Sequence, residues 1–149
     1  MDSVAVFEFL RGMATPGLDR LMKAITDLGS TAFYTVIVPI LYWCISKSLG
    51  FGLAMALSIS NYLNVGIKYV FCRARPYVVF THLDAPNYLT LTGTGYSFPS
   101  GHAQVSSTFW VYLVRSTKKK WVMVMGSILV ILVAFTRVYA TVHYPTAVL

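Results

Sequence analysis

The chain has 149 residues, of which 56% are hydrophobic and 11% charged, and a net charge of +7. An average soluble domain carries roughly 25% charged residues, so this composition excludes an ordinary soluble protein and leaves room for one membrane-embedded domain. The basic residues sit beside apolar runs and form no solvated basic helix, which argues against nucleic acid and for anionic lipid or a phosphate-bearing substrate.

Residues 1–14 are mildly apolar, and with Asp2 and Glu8 among them and no basic leader they do not read as a cleavable signal peptide. Thr15-Pro16-Gly17 breaks this stretch and can start a helix, with Thr15 as cap and Pro16 at the first position. Leu18, Leu21, Met22 and Ile25 then recur at helical spacing, while Asp19, Arg20, Lys23 and Asp27 fill the other face. The region 1–29 is therefore expected to hold an amphipathic helix at the membrane interface, or one packed on the end of a bundle.

Residues 31–48 form an apolar run long enough to span, with Lys47 near its end. Residues 50–71 form a second span that carries Ser58, Ser60, Asn61, Asn64 and Lys68. Such groups are costly in hydrocarbon unless they face the bundle interior, so this span is expected to be central. An outer loop follows over 73–98, then a span over 99–116 and a last one over 121–143 that carries Arg137. Tyr144-Pro145 is expected to stop it, because the residue before a proline avoids the α region. The predicted fold is thus all-α: one domain over 1–149, a polytopic membrane helix bundle of about four spans. Cys44 and Cys72 lie near opposite ends of successive spans, so neither a disulfide nor a metal site is expected from them.

Arg115, Lys118, Lys119 and Lys120 place one connection in the cytoplasm by the positive-inside rule, and Lys47 agrees. Lys68, Arg75, Pro99–His102, Arg137 and His143 then all arrive at the outer face. At Pro99-Ser100-Gly101-His102, Pro99 suits the first turn of a helix, Ser100 and Gly101 offer unpaired backbone N–H groups to an anion, and His102 can exchange a proton near neutral pH. Each residue also has an ordinary explanation, as a cap, a snorkelling anchor or a satisfied interfacial histidine. Together they repel unless an anion joins them, since no Asp or Glu follows Asp84.

Three ordered motifs carry a family resemblance. Lys68-Tyr69-Val70-Phe71-Cys72-Arg73-Ala74-Arg75-Pro76, then Pro99-Ser100-Gly101-His102, then Arg137 followed after five residues by His143, resemble the type 2 phosphatidic acid phosphatase superfamily, its integral-membrane branch in particular. The resemblance implies a phosphatase with no metal or other cofactor, acting on a lipid phosphate or diphosphate at the outer face of a bacterial plasma membrane. It implies His143 as the nucleophile that becomes phosphohistidine and His102 as the acid and base. Lys68, Arg75 and Arg137, with the Ser100 hydroxyl and the Gly101 amide, would hold the phosphoryl oxygens.

The sequence departs from the family where an Asp is expected four residues after the nucleophile and Ala147 stands instead. In a Ser-His-Asp triad, loss of the carboxylate that fixes the histidine tautomer costs on the order of 10⁴ in rate, so impaired catalysis is expected here. Asp84 is the one acidic residue that could substitute. The resemblance also implies a further span after Leu149, so the chain reads as truncated, and a homo-oligomer that completes the bundle stays open. Two other functions remain: a non-catalytic protein that binds a phosphate or lipid head group, and a vanadate-dependent haloperoxidase.

Overall fold

The computed structural model describes residues 4–83, 87–93 and 95–148. Its helices are α1 (Val4–Gly12), α2 (Pro16–Asp27), α3 (Thr31–Cys44), α4 (Lys47–Phe71), the short α5 (Pro76–Val79) and α6 (Asn87–Thr90), α7 (Gly101–Thr117) and α8 (Lys120–Tyr139). A 3-10 turn follows at Pro145–Ala147. No strand occurs among the described residues, and the chain is all-α as its periodicity predicts. Asp84 lies outside the described residues.

The helix starts follow from capping chemistry. Thr15 Oγ1 accepts from the Leu18 amide at 3.2 Å with Pro16 in the first turn, and Ser30 and Ser46 cap α3 and α4 in the same way. Each such cap satisfies one amide that has no partner inside the helix. The stretch Lys47–Val79 and α8 are each long and apolar enough to cross a membrane. Helices α2 and α3, bent by 45° at the break between them, would make a third crossing if taken as one broken span.

Helix α7 lies between α4 and α8, while α3 packs on α4 and α2 on α8. Large apolar side chains cover much of the surface, while the interior holds polar groups beside two apolar clusters. Phe51, Met55, Ile59 and Tyr62 of α4 and Val124, Ile128, Ile131 and Phe135 of α8 are exposed, whereas Ser60, Asn64, Ser106, Thr136 and Arg137 are buried. Gln104 of α7 joins the polar groups of α4: its Nε2 donates to the Ser60 carbonyl at 2.8 Å, and its Oε1 accepts from Asn64 Nδ2 at 2.8 Å. These bonds remove groups that lipid could not satisfy and fix the register of α4 on α7. Ser58, also expected inside, instead lines a cleft between α3 and α4, and Asn61 lies at the border of that cleft with the polar cavity described below.

Three expectations about element ends and faces need correction. Asp19 does not sit on a solvated face of α2; it is buried, accepting from Arg11 Nη1 at 2.8 Å and from the Tyr139 hydroxyl at 2.7 Å, which docks α1 and α2 on the end of α8. Pro99 is not in the first turn of α7. Ser100 is the cap, its Oγ accepting from the Ala103 amide at 3.4 Å, and the helix starts at Gly101. Finally, α8 ends at Tyr139 and not at the Tyr144-Pro145 step. Thr141 takes a left-handed φ of 57°, and the amides of Val142 and His143 both donate to the Arg137 carbonyl, at 3.3 and 3.2 Å. This closure satisfies the last carbonyls of the helix and turns His143 back over its end.

Candidate active site

The connectivity alone brings the motif residues together. Helix α4 runs from Lys47 to Lys68, α7 runs back from His102, and α8 returns to Arg137, so Lys68, His102 and Arg137 share one end and Lys47 and Lys118 the other. At the first end a cavity of about 150 Å³ is lined by Asn61, Asn64, Lys68, Arg75, Thr92, Gly93, Gly101, His102, Arg137 and His143, among others. Among the described residues, no acidic side chain belongs to that lining. Three cations therefore face a common space with no carboxylate among the described residues of its walls.

Arg75 is held by backbone carbonyls. Its Nε donates to Gly95 O at 2.8 Å, Nη2 to Tyr96 O at 3.3 Å and Nη1 to Val142 O at 2.8 Å. Gly95 has a φ of 63°, a conformation in which a side chain would be strained, and this turn aims its carbonyl and that of Tyr96 at one guanidinium. Gly93 is required for a different reason, since a Cβ there would lie 2.6 Å from Arg75 Nη1.

Arg137 is fully buried at the end of α8. Its Nη1 donates to Thr26 Oγ1 at 2.9 Å and to Thr92 Oγ1 at 2.8 Å, and Nη2 donates to Thr92 O at 3.2 Å. Its Nε is buried with no hydrogen-bond partner among the described residues. A buried donor of a cation without an acceptor costs roughly 1–3 kcal/mol or more, which an anion in the adjoining cavity would recover.

His143 sits beyond α8, 2% exposed. Its Nδ1 is 2.5 Å from the Ser97 carbonyl oxygen, and its Nε2 is 3.3 Å from Arg75 Nη1. A carbonyl only accepts and a guanidinium only donates, so Nδ1 carries the proton and Nε2 the lone pair. Burial foremost, then the charges of Arg137 and Arg75, holds this imidazole well below its ordinary value. The ring is neutral at pH 7, with its Nε2 electron pair turned to Arg75 Nη1.

One expected member is arranged differently. Ser100 is buried but does not line the cavity; its amide donates to the Ala147 carbonyl at 2.9 Å, so it is not an open anion donor. Arg73 turns away from the site, stacking on Tyr144 at 3.9 Å and donating to Thr146 Oγ1 at 2.9 Å. Ala147 also lies off the cavity, in an apolar cluster with Phe7, Leu10, Val138 and Tyr144. Thr26, Thr92, Gly93 and the Ser97 carbonyl were not singled out by the sequence, because a threonine or a backbone acceptor in a loop carries no periodic or motif signal. Asn64 was marked only as a polar residue facing inward.

A profile described as the PAP2 superfamily matches residues 47–149. The chain belongs to the PAP2 superfamily. It is 30% identical to an undecaprenyl-diphosphatase of Sulfolobus acidocaldarius over 148 residues, covering 99% of this chain and 70% of that protein. It is 26% identical to phosphatidylglycerophosphatase B of Bacillus subtilis over 90% of this chain and 68% of that one. The crystal structure of a transmembrane PAP2-type phosphatidylglycerolphosphate phosphatase from Bacillus subtilis superposes with a TM-score of 0.77 at 25% identity, over 97% of this chain and 74% of that one. Aquifex aeolicus LpxE gives a TM-score of 0.82 at 22% identity over 97% and 84%, a likeness of fold. The membrane helix bundle is therefore that of PAP2 membrane proteins.

Proposed function

We propose that this PAP2 chain hydrolyses a phosphate ester or diphosphate of a membrane lipid, with His143 as nucleophile. The observation that carries the reading is the cavity itself: a neutral His143 Nε2 and an Arg137 Nε with no partner among the described residues share walls with Lys68, Arg75 and His102, and no described carboxylate lines them. A phosphoryl group fits this set, since its oxygens are acceptors and its phosphorus is attacked by a lone pair.

In the proposed cycle Nε2 of His143 bonds to phosphorus as the P–O bond to the leaving group breaks, and His102 gives that oxygen its proton. Water then attacks phosphorus while His102 takes back a proton, the P–N bond breaks, and phosphate leaves. Lys68, Arg75, Arg137 and the Gly101 amide hold the phosphoryl oxygens; Ser100 would act through its hydroxyl proton or only as the cap of α7.

A lipid substrate is supported by the adjoining cleft, of about 310 Å³, lined by Thr35, Val38, Pro39, Ala54 and Leu57 and sharing Thr31, Asn61 and Val105 with the phosphate cavity. A chain attached to the phosphate could lie there without crossing water. Undecaprenyl diphosphate and phosphatidylglycerophosphate, after which the relatives are named, are the first substrates to try. The charge placement supports a site at the outer face of the membrane, with Lys47 and Lys118–Lys120 on the cytoplasmic side.

The test is phosphate release by detergent-solubilised protein from undecaprenyl diphosphate, phosphatidylglycerophosphate and phosphatidic acid. Acid quenching during turnover with ³²P-labelled substrate should trap label on the protein, and His143→Gln should abolish both signals. Saturable vanadate binding without release from any of the three would favour a non-catalytic phosphate-binding protein.

A further inference from the structure

The family position that would supply a carboxylate to the nucleophile holds Ala147, whose side chain packs in an apolar cluster and does not line the cavity. His143 Nδ1 nevertheless has a partner. We infer that the backbone carbonyl of Ser97 does the tautomer-fixing work at His143, so that this chain keeps a correctly oriented nucleophile without a carboxylate at position 147. Ser97 is then a positioning residue for the phosphoryl transfer proposed above, and its importance rests on that reaction.

The geometry around Ser97 suits the task. The residue is fully buried, which keeps water from competing for its carbonyl. Its amide donates to Arg73 O at 2.8 Å, tying it to the segment that leads into Arg75. Its hydroxyl reaches Val142 O at 3.5 Å, one residue before His143, and Val142 O also accepts from Arg75 Nη1. The loops at 73–75, 95–97 and 142–143 are thus joined at Ser97, and the ring is gripped from both nitrogens, by an acceptor at Nδ1 and a donor at Nε2. A carboxylate has two effects on an attacking imidazole: it selects the tautomer, and it stabilises the cation formed on attack. A neutral carbonyl performs the first fully and the second only through its dipole. Restoring a carboxylate should therefore recover a small factor and not the whole loss of a wrong tautomer.

The test is ¹⁵N NMR of protein labelled at histidine in detergent, with the His143 resonances assigned by their loss in His143→Gln. The expected result is the Nδ1–H tautomer, unchanged in Ala147→Asp, together with phosphate release by Ala147→Asp within about tenfold of the parent. An Nε2–H tautomer in the parent, or a gain towards the ~10⁴ expected for correcting the tautomer, overturns the inference. If Ala147→Asp fails to fold, the tautomer of the parent still decides. Absence of phosphate release in every variant would refute the proposed reaction, whereas the NMR result separately upholds or refutes the Ser97 contact.

Discussion

Arg75 and His143, far apart in sequence, meet through Nη1 and Nε2 at 3.3 Å, and the same Nη1 donates to the carbonyl of Val142 at 2.8 Å. One guanidinium thereby sets the position of His143 Nε2, the nitrogen proposed to attack, and faces the cavity where a phosphoryl group would lie. The pair ties the loop after α4 to the loop after α8.

Arg75→Lys keeps the charge but has no planar fork to reach Gly95, Tyr96 and Val142 at once. Phosphate release should fall by about 10²–10³-fold, mainly in kcat, as for loss of a preorganised donor to the transition state. Steady-state kinetics on a lipid phosphate in detergent would show it; parent-like kcat would mean that Arg75 acts only as a charge.

Gly93→Ala places a methyl group 2.6 Å from Arg75 Nη1 and 3.0 Å from its Cζ. The guanidinium must shift, and a displacement of about 1 Å in such a site costs on the order of 10² in rate. The variant should fold, since the close contacts are with the side chains of Arg75 and Val142 and not with backbone. Near-normal turnover with a normal melting curve would place Arg75 elsewhere in the working enzyme.

Asp19→Asn should destabilise without touching the chemistry. Asp19 is 5% exposed and bonded to Arg11 and Tyr139, and removing one partner of a buried charged pair costs about 3 kcal/mol. The thermal midpoint in detergent should drop, while phosphate release at low temperature stays near that of the parent.

Stability should depend on pH through His143. Its folded value is held well below the ordinary imidazole range, by burial first and then by Arg137 and Arg75, so as the pH falls below about 6.5 the unfolded chain takes up a proton that the folded chain refuses. Its contribution is therefore intact above that pH and is lost on acidification, by up to about 1.4 kcal/mol per pH unit. Unfolding midpoints between pH 7.5 and 5 should fall less in His143→Gln than in the parent; equal slopes would show that His143 titrates alike in the folded and the unfolded chain.

The sequence by itself determined the class of fold and which motif residues share one end of the bundle. Apolar runs with polar interruptions predict helices with inward-facing Ser60 and Asn64, because helical period and the cost of polar groups in lipid are local properties. The spacing of Lys68, Arg75, His102, Arg137 and His143 likewise survives into the cavity, since antiparallel helices return their ends to the same level. Only the tertiary structure decided what each group does there. That Asp19 is buried under Tyr139, that the Ser100 amide meets Ala147 O, and that Ser97 O holds His143 all depend on contacts between distant segments made by groups that most residues possess. A backbone carbonyl has no letter of its own in the sequence; only packing aims it at a particular nitrogen.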